Sequence, residues 1–369
     1  MEIAQKLKEA RNRLALTLEI VSERSGIATS AISNFENAIR EPKLVQLQKL
    51  AKIYQRSVGF FLDDNTSPTE CVLWRERPES PTAEELQAKL INLAEKFHSL
   101  EILCEEHSPY ELPTATGTAE TFSYPKAESL AFQVRKELGL GDRPGQTLLR
   151  VLEEVCNIKV FHLPFEPTGS AACSVSQEFG AAILLNSQNV RWRRNFDLAH
   201  ELFHLLTWKV FRHDSAEPAQ VASEQEEKYA TCFARNLLMP SEAFKEAISV
   251  QQDDAGKIGF DGLFEVAREF DVSVEAILWH MSFIFNLDCE KIKEYIDRVK
   301  YSLSTWDTRE SDSPSMYPTR FVALCNQAFR KGLISTGRYA ECLGISRRQA
   351  MKHLEQDAVE DVEVEFAHS

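Results

Sequence analysis

The sequence predicts an α+β fold that is predominantly α-helical, and three observations support this fold class. Apolar residues recur at helical spacing through most of the 369 residues. Strand candidates are confined to two short apolar runs near the middle of the chain. The composition, 43% hydrophobic and 27% charged, is that of an ordinary globular protein. A chain of this length can hold two or three domains.

We expect four units along the chain. They are a helix-turn-helix domain of five helices, a connector with one amphipathic helix, a domain that combines helices with a small β-sheet, and a C-terminal helical segment with an acidic tail. The predicted bounds are 1–64, 65–125, 126–300 and 301–369. Proline-rich stretches at 65–82 and 105–125 frame the connector helix, and a polar stretch at 305–318 precedes the C-terminal segment.

The first unit begins with short helices and contains no strand pattern. Thr17 is placed to cap the second helix, and Gly26 is placed to end it. Thr29 is the expected cap of the third helix. Helical phase places Ile32 and Phe35 of that helix inward. The pair of helices around Gly26 therefore has the pattern of a helix-turn-helix.

The outward face of the third helix carries small polar residues, which can hydrogen-bond base edges in the major groove of DNA. These candidate DNA-binding residues are Thr29, Ser30, Ser33 and Asn34. Arg40 and Lys43 follow the helix and suit phosphate contacts. The alternative is a helical bundle that binds no DNA. The stretch "AISNFENAIREPKLVQLQKLAKIY" resembles the repressor-type (XRE) family over residues 3–62, which implies binding to double-stranded DNA, usually as a homodimer.

Charge is distributed unevenly along the chain. The net charge of −14 argues by itself against a nucleic-acid partner. Residues 1–60, however, contain ten Lys or Arg and six Glu, which gives this segment a charge of +4. A basic head on an acidic body indicates that only the head meets a polyanion.

The sequence of the body, the part of the chain after the head, predicts mostly helices around two strands. The strand candidates are "KVFHLPF" and "AAILLN", and the second offers either an edge for an extended substrate or a plain core strand. Helices are expected over about 83–104, from 126, over about 223–238 and through 256–300. Residues 333–355 have a second helix-turn-helix-like pattern.

The stretch "HELFH", residues 200–204, places two histidines one turn apart on one face of a helix. His200 and His204 can reach the same zinc ion, and Glu201 lies beside them as a candidate general base. The alternative is a pair of core histidines, but two imidazoles and a carboxylate are costly to bury without a partner. We therefore expect zinc here, with manganese as a possible substitute.

A third protein ligand is expected on the helix "EQEEKYATCFARNLLMP". Helical phase accepts Glu226 and Glu227 equally. His213 and Cys173 are weaker alternatives, since neither belongs to a supporting motif. Thr207 and Val210 stand where a metzincin would have glycine and histidine, so that class is excluded.

The stretches "GAAILLNS", "RRNFDLAHELFHLL" and the segment from Glu227 to Pro240 resemble the ImmA/IrrE family of metallopeptidases over about residues 126–290. The resemblance implies a gluzincin-like site with His200, His204 and Glu227 as metal ligands and Glu201 as the base. Tyr229 departs from the family pattern and is either a surface residue or an oxyanion-stabilising phenol. The family also implies cleavage of a DNA-binding repressor that controls stress-response or mobile-element genes.

Two classes of function fit the sequence. The first is a site-specific zinc peptidase whose DNA-binding head localises or regulates it. The second is a transcription regulator whose metal domain is a non-catalytic sensor or structural module. We expect a cytoplasmic protein, because no apolar run approaches the roughly 18–20 residues that span a bilayer and the charged N-terminus has no signal-peptide core.

Overall fold

A computed structural model describes residues 3–14, 16–54, 56, 58–62, 71–79, 82–106, 112–165, 169–176, 178–212, 221–306 and 313–360. Within these ranges the chain forms eighteen α-helices, two short 3-10 helices and one four-stranded sheet. The predicted fold class, α+β and predominantly helical, is confirmed.

The head consists of five short helices around a small apolar core. They are α1 (Ile3–Arg13), α2 (Leu18–Ser25), α3 (Thr29–Glu36), α4 (Leu44–Ile53) and α5 (Val58–Leu62). The Thr17 side chain accepts a hydrogen bond from the backbone N–H of Ile20, and Gly26 ends α2 with a φ of 68°. Both predicted caps of α2 are thus in place. The N-cap of α3 is Ala28 and makes no side-chain bond, so the expected capping role of Thr29 is wrong.

A two-pronged ion pair fixes α3 against α1. The Nε of Arg11 lies 2.7 Å from one carboxylate oxygen of Glu36, and its Nη2 lies 2.9 Å from the other. The third nitrogen of Arg11 donates to the carbonyl of Leu16 at 2.8 Å, in the loop before α2. Because Glu36 ends α3, this pair sets the angle at which the outward face of α3 is presented.

The sheet has the strand order β1-β3-β4-β2. Its strands are β1 (Val72–Trp74), β2 (Lys159–Leu163), β3 (Ala171–Ser176) and β4 (Gly180–Asn186). β4 pairs parallel to β2 and antiparallel to β3, and β1 pairs antiparallel to β3. Both predicted strands exist. Of the two alternatives for "FGAAILLN", a substrate edge or a plain core strand, the structure has the core strand, because β4 is paired on both sides and the edges of the sheet are β1 and β2.

Both faces of the sheet are buried, which explains why β2 and β4 read as apolar runs. Among the described residues, one face forms a single apolar cluster with nine helices. These are α7 (Tyr124–Glu137), α8 (Leu148–Glu154), α9 (Arg191–Leu206), α10 (Trp208–Arg212), α11 (Glu224–Leu238), α12 (Ser241–Val250), α13 (Phe260–Phe270), α14 (Val274–Ile284) and α15 (Cys289–Trp306). Two of them, α9 and α11, carry the predicted metal site. Ile183 and Leu185 of β4 face this side, while Leu184 faces the other.

The other face is covered by the connector and the C-terminal segment together. Their helices are α6 (Thr82–Cys104), α16 (Thr319–Arg330), α17 (Thr336–Cys342) and α18 (Arg347–Glu360). Phe97 of α6 packs against Phe161 of β2 and Phe321 of α16. The buried carboxylate of Glu101 pairs with Lys159 at 3.0 Å and also with Arg320.

These contacts give the segment at 65–125 a structural role that the sequence did not predict. The expected connector supplies an edge strand and a covering helix, so it belongs to the core of the body. Within the described residues, the head meets this helix through the Arg56–Glu95 ion pair and through Ala88, which joins the head's apolar cluster. The connector therefore links the head to the sheet by packing as well as by the chain.

The C-terminal segment contains the expected helix-turn-helix-like pattern. α17 and α18 are joined by a turn in which Gly344 has a φ of 64°. Residues 361–369, most of the predicted acidic tail, lie outside the described residues. Among the helices that the structure describes, none is both long and apolar enough to cross a membrane.

Candidate metal centre

The two histidines of the HELFH stretch lie on α9, a sixteen-residue helix that is buried from Asp197 to Leu206. Its apolar residues pack against β3, β4 and α11, and this packing drives the polar triplet into the interior. His200 and His204 are each 1% exposed and Glu201 is 0% exposed. The imidazole centroids lie 5.1 Å apart, as expected for positions one turn apart.

The third donor comes from the first turn of α11. Ser223 caps this helix by accepting a hydrogen bond from the N–H of Glu226, which fixes the following carboxylates at the end facing α9. One carboxylate oxygen of Glu227 lies 3.0 Å from Nε2 of His200, and the other lies 3.3 Å from Nε2 of His204. The three donor groups lie within 4.8 Å of one another.

The neighbouring Glu226 has a different place. Its Oε1 lies 2.9 Å from Nδ1 of His204, on the side of the ring opposite Glu227. Arg212 binds both oxygens of Glu226, at 2.8 Å and 3.1 Å. Glu226 therefore orients an imidazole and does not join the three-donor cluster. This arrangement favours Glu227 over Glu226 as the third ligand.

The pKa values of the ionisable groups in the site are shifted strongly from their usual values. Burial lowers the pKa of His200 to about 3. For His204 burial also lowers the pKa, but hydrogen bonds with Glu226 and Glu227 outweigh it and raise the pKa to about 9. Burial raises the pKa of Glu227, but its bonds with the two histidines hold that pKa below the usual range. Glu227 is thus an anion that faces two imidazoles.

Glu201 lies beside this cluster without joining it. Both of its carboxylate oxygens are buried, and the thiol of Cys173, a hydrogen-bonding group, lies beside them. Burial raises its pKa to about 7. A carboxylate whose pKa lies close to neutral pH is well matched to accept and return a proton. Cys173 of β3 lies next to it, and burial together with the charge of Glu201 raises the pKa of that thiol well above its usual value.

The other candidate ligands do not enter the cluster of donors. The neutral Cys173 thiol is not among the grouped donor atoms within the described residues. The Tyr229 hydroxyl donates to the carbonyl of Phe122 at 3.0 Å, and its ring packs against those of Phe122 and Tyr124. His213 lies outside the described residues.

The donor set fits a zinc ion on its chemistry. Two imidazole nitrogens and one carboxylate are a frequent ligand set of catalytic zinc sites, which leave one position for solvent. Nε2 of His204 and Oε1 of Glu227 are buried and lie 3.3 Å apart, and a bound cation would accept a lone pair from each of them. Nδ1 of His204 has the carboxylate partner that metal-binding histidines usually have. Manganese accepts the same nitrogen and oxygen donors.

Sequence reasoning missed two residues that support this site. Arg212 lies in α10, and nothing in its sequence context indicated that it would bind Glu226. Arg75 lies just after β1 and pairs with the fully buried Asp197, one turn before His200. Asp197 falls on the inward face of α9, so a buried partner could have been sought for it.

The predicted DNA-contacting residues lie on one side of the head. Ser30, Arg40 and Lys43 are exposed, and Thr29, Ser33 and Asn34 are half-buried at the outward face of α3. Ile32 and Phe35 point inward, each 1% exposed. The backbone N–H groups of Ile39 and Arg40 bond the carbonyl of Asn34, which holds the turn after α3 against that helix.

Comparison with known families agrees with this division of the chain. Residues 7–61 match the model of a helix-turn-helix family, and residues 153–282 match that of the IrrE N-terminal-like domain of peptidase family M78. The predicted fusion of an XRE-type helix-turn-helix with an ImmA/IrrE-type domain is confirmed. No curated protein matches the sequence.

Two solved structures show a distant likeness. A Mycobacterium tuberculosis transcriptional regulator has 14% identity and a TM-score of 0.32, over 51% of this chain and 52% of that one. This chain therefore matches about half the length of that protein. Bacillus thuringiensis PlcR in complex with the peptide PapR7 and DNA has 11% identity and a TM-score of 0.17, over 98% of each chain. These TM-scores are too low to indicate a shared fold over the aligned lengths.

Proposed function

We propose that this fusion of a helix-turn-helix domain with an IrrE N-terminal-like domain is a DNA-binding regulator with site-specific zinc endopeptidase activity. The observation that carries the proposal is the convergence of His200, His204 and Glu227, with the fully buried carboxylate of Glu201 beside them. The substrate class that we propose is a protein, namely a DNA-binding repressor or another regulator of stress-response or mobile-element genes.

The residues of the chain have distinct parts in this proposal. His200, His204 and Glu227 hold the metal, and Glu226 with Arg212 fixes the ring of His204. A zinc ion, when bound, supplies a Lewis acid that polarises the amide carbonyl and acidifies a water molecule. Glu201 takes the proton of the attacking water and passes it to the leaving amine. The apolar wall of α9 excludes other water and strengthens these electrostatic effects.

The head supplies DNA binding in this proposal. Thr29, Ser30, Ser33 and Asn34 contact base edges, while Arg40 and Lys43 contact phosphates. A charge of +4 on the head is modest, so a single head binds weakly and its affinity falls steeply with salt. Homodimerisation, which we also propose, would place two heads on a palindromic site.

One observation favours the second candidate function, a regulator whose metal domain is not catalytic. His200, Glu201 and His204 are almost fully buried, and burial is typical of a structural or sensing metal site. A set of three protein donors, which would leave a bound zinc ion one position for solvent, and the pKa of Glu201 favour catalysis instead. The two candidates differ in one measurable property, which is hydrolysis.

The experiment that separates them uses the full chain with zinc, with manganese and with a chelator. Each preparation is mixed with purified repressors from neighbouring genes, and the products are measured by intact mass spectrometry. The peptidase proposal predicts a single cut that requires the metal. Stoichiometric zinc with no cut in any repressor would support the sensor or structural module.

A further inference from the structure

The edge of the sheet beside the metal centre is covered by a strand from outside the matched domain. The IrrE N-terminal-like domain spans residues 153–282, whereas β1 lies at Val72–Trp74. β1 pairs antiparallel with β3, with Leu73 opposite Cys173. All three residues of β1 are buried. The edge that β3 would otherwise offer is therefore filled by the connector.

The start and centre of β1 lie along the metal centre. The backbone carbonyl of Cys71, just before the strand, accepts a hydrogen bond from the Ser174 hydroxyl at 2.8 Å. The Cys71 thiol is close enough to Arg212 and Glu226, the ion pair behind His204, for their charges to act on it. Leu73 shares the apolar cluster of α9 with Cys173, whose thiol neighbours Glu201.

The end of β1 is tied to the same helix. Arg75 pairs with the fully buried Asp197, one turn before His200, and its guanidinium lies 5.2 Å from the ring centroid of Phe196. Glu76 pairs with Arg193 of α9 at 2.9 Å. The segment 71–76 thus runs past the metal centre from the His204 side to the His200 side.

An open sheet edge is where an extended peptide adds as a further strand. Peptidases need their substrate extended and close to the metal, and β3 carries Cys173, whose thiol neighbours Glu201. We infer that this edge is the docking surface for an extended protein substrate, and that Val72–Trp74 of the chain itself occupies it until a substrate segment takes its place. The inference rests on the proposed peptidase function.

The residues of β1 indicate what kind of segment fits. The pockets on both faces of the sheet take apolar side chains, since Val72 and Trp74 pack on the α6 side and Leu73 on the α9 side. The buried carboxylate of Asp197 pairs with a cation at the next position, Arg75, in addition to Arg193 of its own helix at 3.6 Å. A competing substrate is therefore an extended run of about three apolar residues followed by arginine or lysine.

A short segment of the chain joins the head to this strand. Eight residues, 63–70, separate the last helix of the head from Cys71. We therefore expect that the position of the head, with and without bound DNA, affects how firmly β1 holds the edge of β3. The peptidase is then held closed by the element that connects it to the DNA-binding domain.

A reversible lock tests the inference. Val72 and Ser174 are Cα partners in the register, and strand alternation turns them toward α6, away from Glu201. The variant Val72→Cys with Ser174→Cys can form a disulfide when treated with oxidised glutathione. The full-length zinc-loaded protein is given a peptide library from a bacterial proteome, and cuts are counted by mass spectrometry. The single variant Ser174→Cys, treated alike, controls for oxidation of native cysteines.

A release variant tests the opposite direction. Arg75→Ala with Glu76→Ala removes both anchors on α9, and Arg77→Ala, which removes only an ion pair with Glu84 on α6, is the matched control. Hydrogen exchange at residues 72–74 reports whether the strand has left the edge. We expect faster exchange and a cleavage rate at least ten times that of the control, with unchanged zinc content.

The outcomes separate the inference from the function on which it rests. Loss of at least nine-tenths of the cleavage in the oxidised lock, restored by reduction, supports the inference, as does activation by release. Equal cleavage by the oxidised and reduced lock overturns the inference and leaves the peptidase intact. A release variant that exchanges fast and binds zinc but cuts nothing overturns the peptidase proposal, and the inference fails with it. If the release variant does not fold, the lock decides.

Discussion

Oε1 of Glu226 lies 2.9 Å from Nδ1 of His204, so a carboxylate orients the ring whose other nitrogen faces the metal centre. Glu226 is itself held by Arg212, so the chain of contacts runs from guanidinium to carboxylate to imidazole. The Glu226 pKa is raised by burial, but its bonds with His204 and Arg212 outweigh this and lower it. Partners of this kind fix the tautomer and the angle of a metal-binding histidine.

Glu226 and Glu227 are therefore expected to differ in their effect on zinc. Glu226→Gln weakens the Arg212 contact and should lower zinc affinity by about 10–100-fold. Glu227→Gln removes the ligand and should lower affinity beyond that range. Competition with a zinc-responsive dye measures both. Glu224→Gln, an exposed position on the same helix, is the control, and equal losses in the two buried variants would contradict the assignment.

Glu201 is expected to act in hydrolysis and not in metal binding. Glu201→Gln keeps the shape of the side chain but cannot accept the proton, so cleavage should fall by about 10²–10⁴-fold. Zinc content, measured by mass spectrometry, should stay at one ion per chain. Glu128→Gln on α7 is the matched control. Cleavage by E201Q at the wild-type rate would rule out Glu201 as the base.

The DNA contacts of the head are expected to fall into two kinds. Arg40→Ala removes a phosphate contact, so affinity should fall for all sequences and the salt slope should decrease by about 1. Asn34→Ala should cost about 1–3 kcal/mol at one base pair and relax the preference there. Fluorescence anisotropy at several salt concentrations measures both. Arg150→Ala on the body should change neither, and an unchanged salt slope for R40A would contradict the phosphate role.

His280 of α14 is expected to make the stability of the body depend on pH. Burial and the nearby charge of Arg235 lower its pKa to about 3, and they outweigh a hydrogen bond with the backbone of Met239 that acts in the opposite direction. The unfolded chain takes up the proton near pH 6.5, so the stabilisation is complete above that pH and is lost as pH falls toward 3.

This loss should amount to about 1.4 kcal/mol per pH unit below 6.5 for the single histidine. His280→Leu should therefore flatten the dependence of the unfolding free energy on pH between 6.5 and 4.5, measured by urea denaturation. His353→Leu on α18 controls for the loss of a histidine at an exposed position. A slope for H280L equal to that of the wild type would mean that His280 does not cause the dependence.

The sequence predicted the local features of this fold better than the contacts between residues that are distant in the chain. Thr17 and Gly26 act within their own helix, so their capping roles follow from neighbouring residues alone. The HELFH spacing likewise places His200 and His204 on one face without any tertiary information. β3 was not predicted because Ala171–Ser176 combines small and polar residues and has no strand-like apolar pattern.

What escaped prediction depends on contacts between distant parts of the chain. Val72–Trp74 is only three residues long and lies among prolines, so its strand structure is supplied by β3, about 100 positions later. Helical phase could not separate Glu226 from Glu227, since both lie near the buried stripe. The separation comes from Arg212, which binds one carboxylate and leaves the other to face the two histidines.

Anomalous diffraction at the zinc edge, from crystals of the full chain, tests the central claim most directly. We predict one peak in contact with His200, His204 and Glu227, with a solvent oxygen as the remaining ligand. A peak elsewhere, a fourth protein donor in the solvent position, or no peak after zinc is added would contradict it.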